Sequence, residues 1–192
     1  MFRYERPQKG RKRQFFQAGV ELIGEGSSKS DVEIILVGKT ILEKLGINFC
    51  LEINYLGGEE SLNSYRAYLR EFLQENKDSF EEKLYSRLQR NPVRAIDSKD
   101  ENIQKVIKDA KDITNFLTDE EKQLFAETVD TLDQLKVDYK INTNLVRGMD
   151  YYTGTVFEYT VDSLGAQNAV IGGGRYDNLI KELGGKDLPA IG

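Results

Sequence analysis

The sequence predicts an α+β fold: an incomplete antiparallel sheet flanked by helices and interrupted by an all-helical block at about 59–136. Three observations carry this reading. Apolar side chains alternate with period two in the first 58 residues and again beyond 137, as half-buried strands require. Between them the text is charged, free of glycine and apolar at helical spacing. Glycine clusters at 57–58, 172–174 and 184–185 punctuate the strand-rich parts. A chain of 192 residues admits one domain with a sizeable insertion, divided at 1–58, 59–136 and 137–192.

Residues 1–25 read as strand, loop, strand, with Pro7 and Gly10 marking the loop. Phe2 and Tyr4 take one side of the first strand, Arg3 and Glu5 the other. Phe16, Ala18, Val20 and Leu22 share a face of the second, opposite Gln17, Gly19 and Glu21. The aligned polar faces form either the floor of a pocket or a plain solvated sheet face. Six cations (Arg3, Arg6, Lys9, Arg11, Lys12, Arg13) against Glu5 make this end basic within a chain of net charge −5. That concentration marks either a local anion site or a solvated basic loop.

A helix follows to Gly46, with Ser30 and Glu33 in capping-box spacing. Ile47, Phe49, Leu51, Ile53 and Tyr55 then mark a half-buried strand. In the helical block, Leu62, Tyr65, Leu69, Phe72 and Leu73 mark one helix, and Phe80, Leu84 and Leu88 a second that Pro92 ends. Ile103, Val106, Ile107 and Ala110 mark a third; Leu124, Val129, Leu132 and Leu135 mark a fourth, capped by Thr118 with Glu121. Lys83, Arg87 and Arg90 form a cationic row, a solvated face or a contact for a phosphate backbone. With 13 basic against 18 acidic residues, the block is a poor independent nucleic-acid binder. Strands follow at 155–162 and 169–171. The three glycines at 172–174 predict a tight turn into a helix bearing Tyr176, Leu179, Ile180 and Leu183, and Gly184-Gly185 ends it.

Composition excludes much chemistry. Histidine is absent and Cys50 is the only cysteine, so Ser-His-Asp and Cys-His machinery, His-based zinc sites and internal disulfides are ruled out. A single thiol and no apolar run of membrane-spanning length predict a cytoplasmic protein. The chemistry left to Arg, Lys, carboxylates, Tyr and amides is positioning and charge stabilisation.

FRYERPQKGRKRQFFQ followed by GVELIG resembles motif 2 of class II aminoacyl-tRNA synthetases in its histidine-specific form. LVRGMDYYTGTVFE and GGGRYDNLIKELGG resemble the two signature segments of histidyl-tRNA synthetases, and NPVRAIDSKD resembles that family's insertion domain. The resemblance runs from end to end. It implies a partial class II synthetase sheet and the reaction of histidine with ATP to histidyl-adenylate, then transfer to the 3′ end of tRNA(His). Mg2+ accompanies ATP, no protein-held metal is expected, and the parent enzyme is a cytoplasmic homodimer. By the same resemblance Met1 is an internal residue of that parent. Motifs 1 and 3 are then missing, and the piece alone is expected to be nearly inactive and prone to self-association.

Carried over position by position, the resemblance implies that Arg3 holds the α-phosphate of ATP, Glu5 lies near the adenosine and Arg11 reaches the γ-phosphate. Lys9, Lys12 and Arg13 meet the tRNA acceptor end. Gln17, Glu21, Tyr151, Tyr152 and Tyr176 bind histidine, with Glu21 at the imidazole. Arg147, the distinctive catalytic residue, contacts the histidine carboxylate and the α-phosphate; read without the family, it is better taken as a structural arginine paired with Asp150. Two positions depart from the pattern: Phe16, where the family often has histidine, and Gly154, where some members are basic. The rival assignment is the synthetase-like regulatory subunit of ATP phosphoribosyltransferase, a binding protein that tends to lose the arginines kept here at 3, 11 and 147.

Overall fold

The computed structural model describes residues 1–4, 12–98, 100–147, 151–164 and 168–192. In chain order the elements are β1 (Leu22–Ile23), α1 (Ser28–Lys44), β2 (Cys50–Tyr55), α2 (Glu59–Glu75), α3 (Glu82–Arg90), α4 (Glu101–Ile107), α5 (Asp119–Gln134), β3 (Lys140–Ile141), β4 (Thr153–Thr160), β5 (Ala169–Arg175), α6 (Leu179–Glu182) and β6 (Ala190–Ile191). The strands form one sheet in the order β1-β6-β5-β4-β2-β3. All neighbours are antiparallel except β2 and β3, which run parallel.

Helices α1 and α5 cover one face of the sheet, and the helical block packs against the sheet at Tyr55 and Val156. On the first face, Leu51, Ile53, Phe157 and Tyr159 pack beneath Val32, Ile35 and Leu42 of α1 and Leu132 of α5. The other core joins Leu62, Tyr65, Leu69 and Leu73 of α2 with Leu88, Ile103 and Ile113, and closes on Tyr55, Leu145, Val146 and Val156. β2 and β4 contribute to both cores, and β4 is buried almost along its whole length. The four helices expected between 59 and 136 form, although Phe80 lies before the start of α3 and Ala110 beyond the end of α4. Among the described residues no helix is long and apolar enough to cross a membrane.

The Thr118–Glu121 capping box forms, and it does more than cap α5. The Glu121 carboxylate also accepts from the Gly58 N–H at 2.5 Å and from the Ser61 hydroxyl at 2.6 Å, joining two helix starts. Burial alone would raise its pKa, but these hydrogen bonds and those from Thr118 outweigh it and hold the carboxyl below its usual value. A folded-state pKa below the unfolded one contributes stability at neutral pH that is lost as pH falls through the folded value. Glu121→Gln is therefore expected to be less stable than the parent at pH 7 and to converge with it in acid, as read by urea denaturation at both pH values.

Four local expectations are corrected. The Ser30 capping box is not made: Ser27 is the N-cap of α1, and the buried Ser30 hydroxyl donates to the Ser27 carbonyl at 2.6 Å while accepting from Arg175 at 2.7 Å. The strand expected through Phe16, Ala18, Val20 and Leu22 shrinks to Leu22–Ile23, because β1 has only the two-residue β6 beside it. Phe16 is 98% and Val20 45% exposed, so this alternation meets the core only at Leu22. The hairpin does begin, with Phe2 bridged to Gln14 and the Arg3 N–H on the Arg13 carbonyl at 2.8 Å, but Phe2 and Tyr4 stand in solvent. Finally, the glycines at 172–174 are not a turn. They lie inside β5, opposite Glu158, Phe157 and Val156, and the helix beyond them is a single turn.

Candidate active site

Two of the candidate side chains, Arg147 and Tyr152, lie on one face of the sheet against the glycines of β5. A β-carbon on Gly172 would fall 2.3 Å from Nη2 of Arg147, and one on Gly174 would fall 2.9 Å from the Tyr152 ring. Gly173 faces the other way, where a β-carbon would meet the Gly192 carbonyl at 2.2 Å and Phe157 at 2.5 Å. The run thus serves close approach on both faces.

Arg147 is delivered by the loop after β3. Buried Asn54 donates from Nδ2 to the Thr143 carbonyl at 3.2 Å and to the Leu145 carbonyl at 3.0 Å, and the Asn142 N–H bonds the Ile53 carbonyl. These bonds tie residues 142–145 to β2 and fix where Arg147 emerges. Its Nη1 pairs with the Glu158 carboxylate, while its buried Nε has no hydrogen-bond partner among the described residues. Tyr152 stands beside it. Burial, then the Tyr151 hydroxyl, pushes the Tyr152 phenol up to about 12, so it is a neutral donor at physiological pH.

A run of aromatic rings leads away from Arg147. Tyr151 lies 4.7 Å from Tyr152 between ring centroids, and Tyr176 meets Tyr151 edge-on at 5.9 Å. The Tyr176 hydroxyl donates to the Glu21 carboxylate at the far end. Burial and that carboxylate both push the Tyr176 phenol upward. Glu21 lies across Gly192, whose hypothetical β-carbon would fall 1.6 Å from Oε2. A carboxylate at one end, a guanidinium at the other and phenols between them suit a small ligand with an N–H donor and an anionic group.

Towards the helical block, Arg147 and Tyr152 share a cavity of about 490 Å³ with Arg66, Arg87, Arg94 and Asp97. Burial pushes the Asp97 carboxyl upward; the Arg94 charge opposes this most, and that of Arg147 more weakly. A second cavity of about 330 Å³ lies near Asp31, Arg175 and Asp177. Arg175 was not singled out by sequence reasoning. It is a buried anchor whose guanidinium is occupied by Asp31, Asp177, Ser30 and two carbonyls.

The structure therefore brings Glu21, Tyr151, Tyr152, Tyr176 and Arg147 into one continuous strip. Arg3, Lys12, Arg13 and Gln17 stay on the exposed arm and do not line the 490 Å³ cavity; Arg3 lies over the Phe15 ring at 5.2 Å and Arg13 over the Tyr4 ring at 5.1 Å. Glu5, Lys9, Arg11 and the alternative Arg147 partner Asp150 lie outside the described residues. Lys83, Arg87 and Arg90 are exposed along α3, and of the three only Arg87 borders that cavity. Sequence reasoning missed Glu158, Asn54 and Asp97. Glu158 had one available signal, a carboxylate at the polar parity of a strand covered on both faces.

A family model described as histidyl-tRNA synthetase matches residues 1–192. The chain is 49% identical over 193 residues to the histidine–tRNA ligase of Prochlorococcus marinus (strain MIT 9301), covering all of this chain and 45% of that protein. It thus spans about half the length of this curated relative. The crystal structure of apo histidyl-tRNA synthetase from S. aureus superposes with a TM-score of 0.68 at 31% identity, over 89% of this chain and 42% of that one. A protein of Bacillus halodurans C described as an ATP phosphoribosyltransferase regulatory subunit/histidyl-tRNA synthetase shares the fold, with a TM-score of 0.54 at 23% identity.

Proposed function

Because the chain belongs to the histidyl-tRNA synthetase family, we propose that residues 1–192 carry the histidine-activating pocket of a histidine–tRNA ligase. The observation that supports this most is the strip running from Glu21 and Tyr176 to Arg147. Glu21 accepts the imidazole N–H, the tyrosines pack against the ring, Gln17 takes the α-amino group and Arg147 holds the carboxylate. Arg3 grips the α-phosphate of ATP, which enters with Mg2+; Glu5 and Arg11 serve the adenosine and the γ-phosphate.

A carboxylate oxygen of histidine attacks the α-phosphorus, the bond to the bridging oxygen breaks, and pyrophosphate leaves with that electron pair. Arg147 neutralises charge on the carboxylate and on the α-phosphoryl oxygens, so its contribution is positioning and electrostatic. A ribose hydroxyl at the 3′ end of tRNA(His) then attacks the adenylate carbonyl and AMP departs. Lys9, Lys12, Arg13 and the α3 row of Lys83, Arg87 and Arg90 border the path of that strand. The division at 1–58, 59–136 and 137–192, a homodimeric parent and a cytoplasmic setting complete the proposal. The regulatory-subunit reading shares the fold; against it stand the arginines kept at 3, 11 and 147.

The test is a hybrid in which these 192 residues replace the matching half of the Prochlorococcus marinus ligase. Histidine-dependent exchange of pyrophosphate into ATP is the expected result. A folded, dimer-sized hybrid that binds histidine without exchange would favour the regulatory-subunit reading.

A further inference from the structure

The pairing of Arg147 with Glu158 over Gly172 goes beyond the roles given so far. We infer that Glu158 is a positioning residue for Arg147 and that Gly172 is the shelf on which the guanidinium lies. The inference deepens the proposed function and rests on it for its consequence, though not for its geometry.

Four observations converge. The ion pair is direct, and both side chains are mostly withdrawn from water, at 21% and 23% exposure. Glu158 and Gly172 are cross-strand partners, so the carboxylate and the bare backbone patch lie side by side on one face. On the other flank Glu158 stands directly opposite Glu52, a like-charge pairing that destabilises a sheet unless each carboxylate is satisfied. Glu52 takes the Asn142 amide at 2.7 Å, and Glu158 takes Arg147. The contact a β-carbon at residue 172 would make is with the tip of a flexible side chain, not with backbone. A methyl there displaces the guanidinium and spares the sheet.

The consequence is a division of labour within one guanidinium. Nη1 is committed to Glu158, and the buried Nε has no hydrogen-bond partner among the described residues. A fork fixed at one nitrogen presents its remaining N–H groups to an anion in a set orientation, with less rotational freedom to lose on binding. Glu158 thus acts on the ligand carboxylate through Arg147 and does not touch the ligand.

Two readouts on the purified chain test this. The first is the rate at which phenylglyoxal labels Arg147, followed by peptide mass spectrometry and independent of any ligand. Glu158→Gln, which keeps the shape, and Gly172→Ala, which acts from below, are each expected to raise that rate roughly tenfold. Thermal midpoints should stay near the parent value. Unchanged labelling in both variants would overturn the inference.

The second readout is affinity for L-histidine against histidinol, which lacks the carboxylate. The parent is expected to prefer histidine. Glu158→Gln should lose roughly tenfold for histidine and little for histidinol, and should add nothing once Arg147 is alanine. Additive losses in the double variant would mean that Glu158 meets the ligand itself, which also overturns the inference. A parent chain that discriminates between neither compound would count against the proposed function, and the labelling rates would then decide the positioning role alone.

Discussion

Replacing Arg175 with alanine is expected to lower folding stability by about 3–5 kcal/mol, because it strands a buried carboxylate. Arg175 is 5% exposed and Asp31 3%. Arg175 Nε donates to Asp31 at 2.9 Å and Nη2 to the same carboxylate. Nη2 also reaches Ser30 at 2.7 Å, and Nη1 reaches Asp177 at 3.0 Å and the Glu25 carbonyl at 3.1 Å. The start of α1, the end of β5 and the segment before α1 are held by this one guanidinium. Burial pushes the Asp31 carboxyl upward, and Arg175 is the main force pulling it back. Without Arg175 the carboxylate protonates or the α1 start opens to water. Arg175→Met with Asp31→Leu, which removes both charges and keeps volume, should recover much of the loss. Guanidinium denaturation at fixed slope measures each variant; a loss under about 1 kcal/mol for Arg175→Ala would contradict the anchoring role.

Arg147→Ala is expected to lower pyrophosphate exchange in the hybrid enzyme by about 100- to 1,000-fold, the usual loss when one preorganised donor to a developing anion is removed. Lysine at 147 should recover little of it. A single ammonium cannot hold Glu158 and still offer a planar fork to a carboxylate and a phosphoryl oxygen. Arg147→Ala also leaves Glu158 unpaired opposite Glu52, so some stability is lost, but the side chain lies outside the main apolar clusters and the loss should be smaller than that in rate. Single-turnover exchange beside a denaturation curve separates the two. Equal losses in both would show Arg147 to be structural.

Gly38→Ala is a smaller case of the same packing logic. Its β-carbon would lie 2.9 Å from the Tyr159 ring, whose hydroxyl bonds the Ile35 carbonyl within the α1 core. An overpacking loss of about 1–3 kcal/mol is expected, read as a lower denaturation midpoint.

The helical block was legible because its information is local. Apolar spacing marks the buried face of each helix, and the Thr118–Glu121 pair announces an N-terminus that the chain then uses. The second strand was misread because alternation reports only which side chains share a face, whereas a strand needs a backbone alongside, and β1 finds only two residues of β6. The glycine run was misread for a related reason. Missing side chains serve a turn and a close approach equally well. What approaches here is Arg147, Tyr152 and the Gly192 carbonyl, which are distant in the chain or on another strand.

The site divides along the same line. Arg147, Tyr151, Tyr152, Tyr176 and Glu21 were legible through motif resemblance, and the strip that joins them is their common geometry. Glu158 and Asn54 were not, since their significance lies in cross-sheet partners: a guanidinium for one, two loop carbonyls for the other. No spacing rule along the chain encodes a pairing between a loop and the strand beneath it.

The central claim is that this pocket recognises an imidazole through the Glu21 carboxylate. The direct measurement is a calorimetric titration of the chain with L-histidine and with β-thienylalanine, a near-isostere lacking the ring N–H. Histidine should bind more tightly than the analogue, because Glu21, which already accepts from Tyr176, gains a further hydrogen bond only from the imidazole N–H. Glu21→Gln should abolish the difference. A chain that binds both compounds alike, with or without that substitution, would contradict the account.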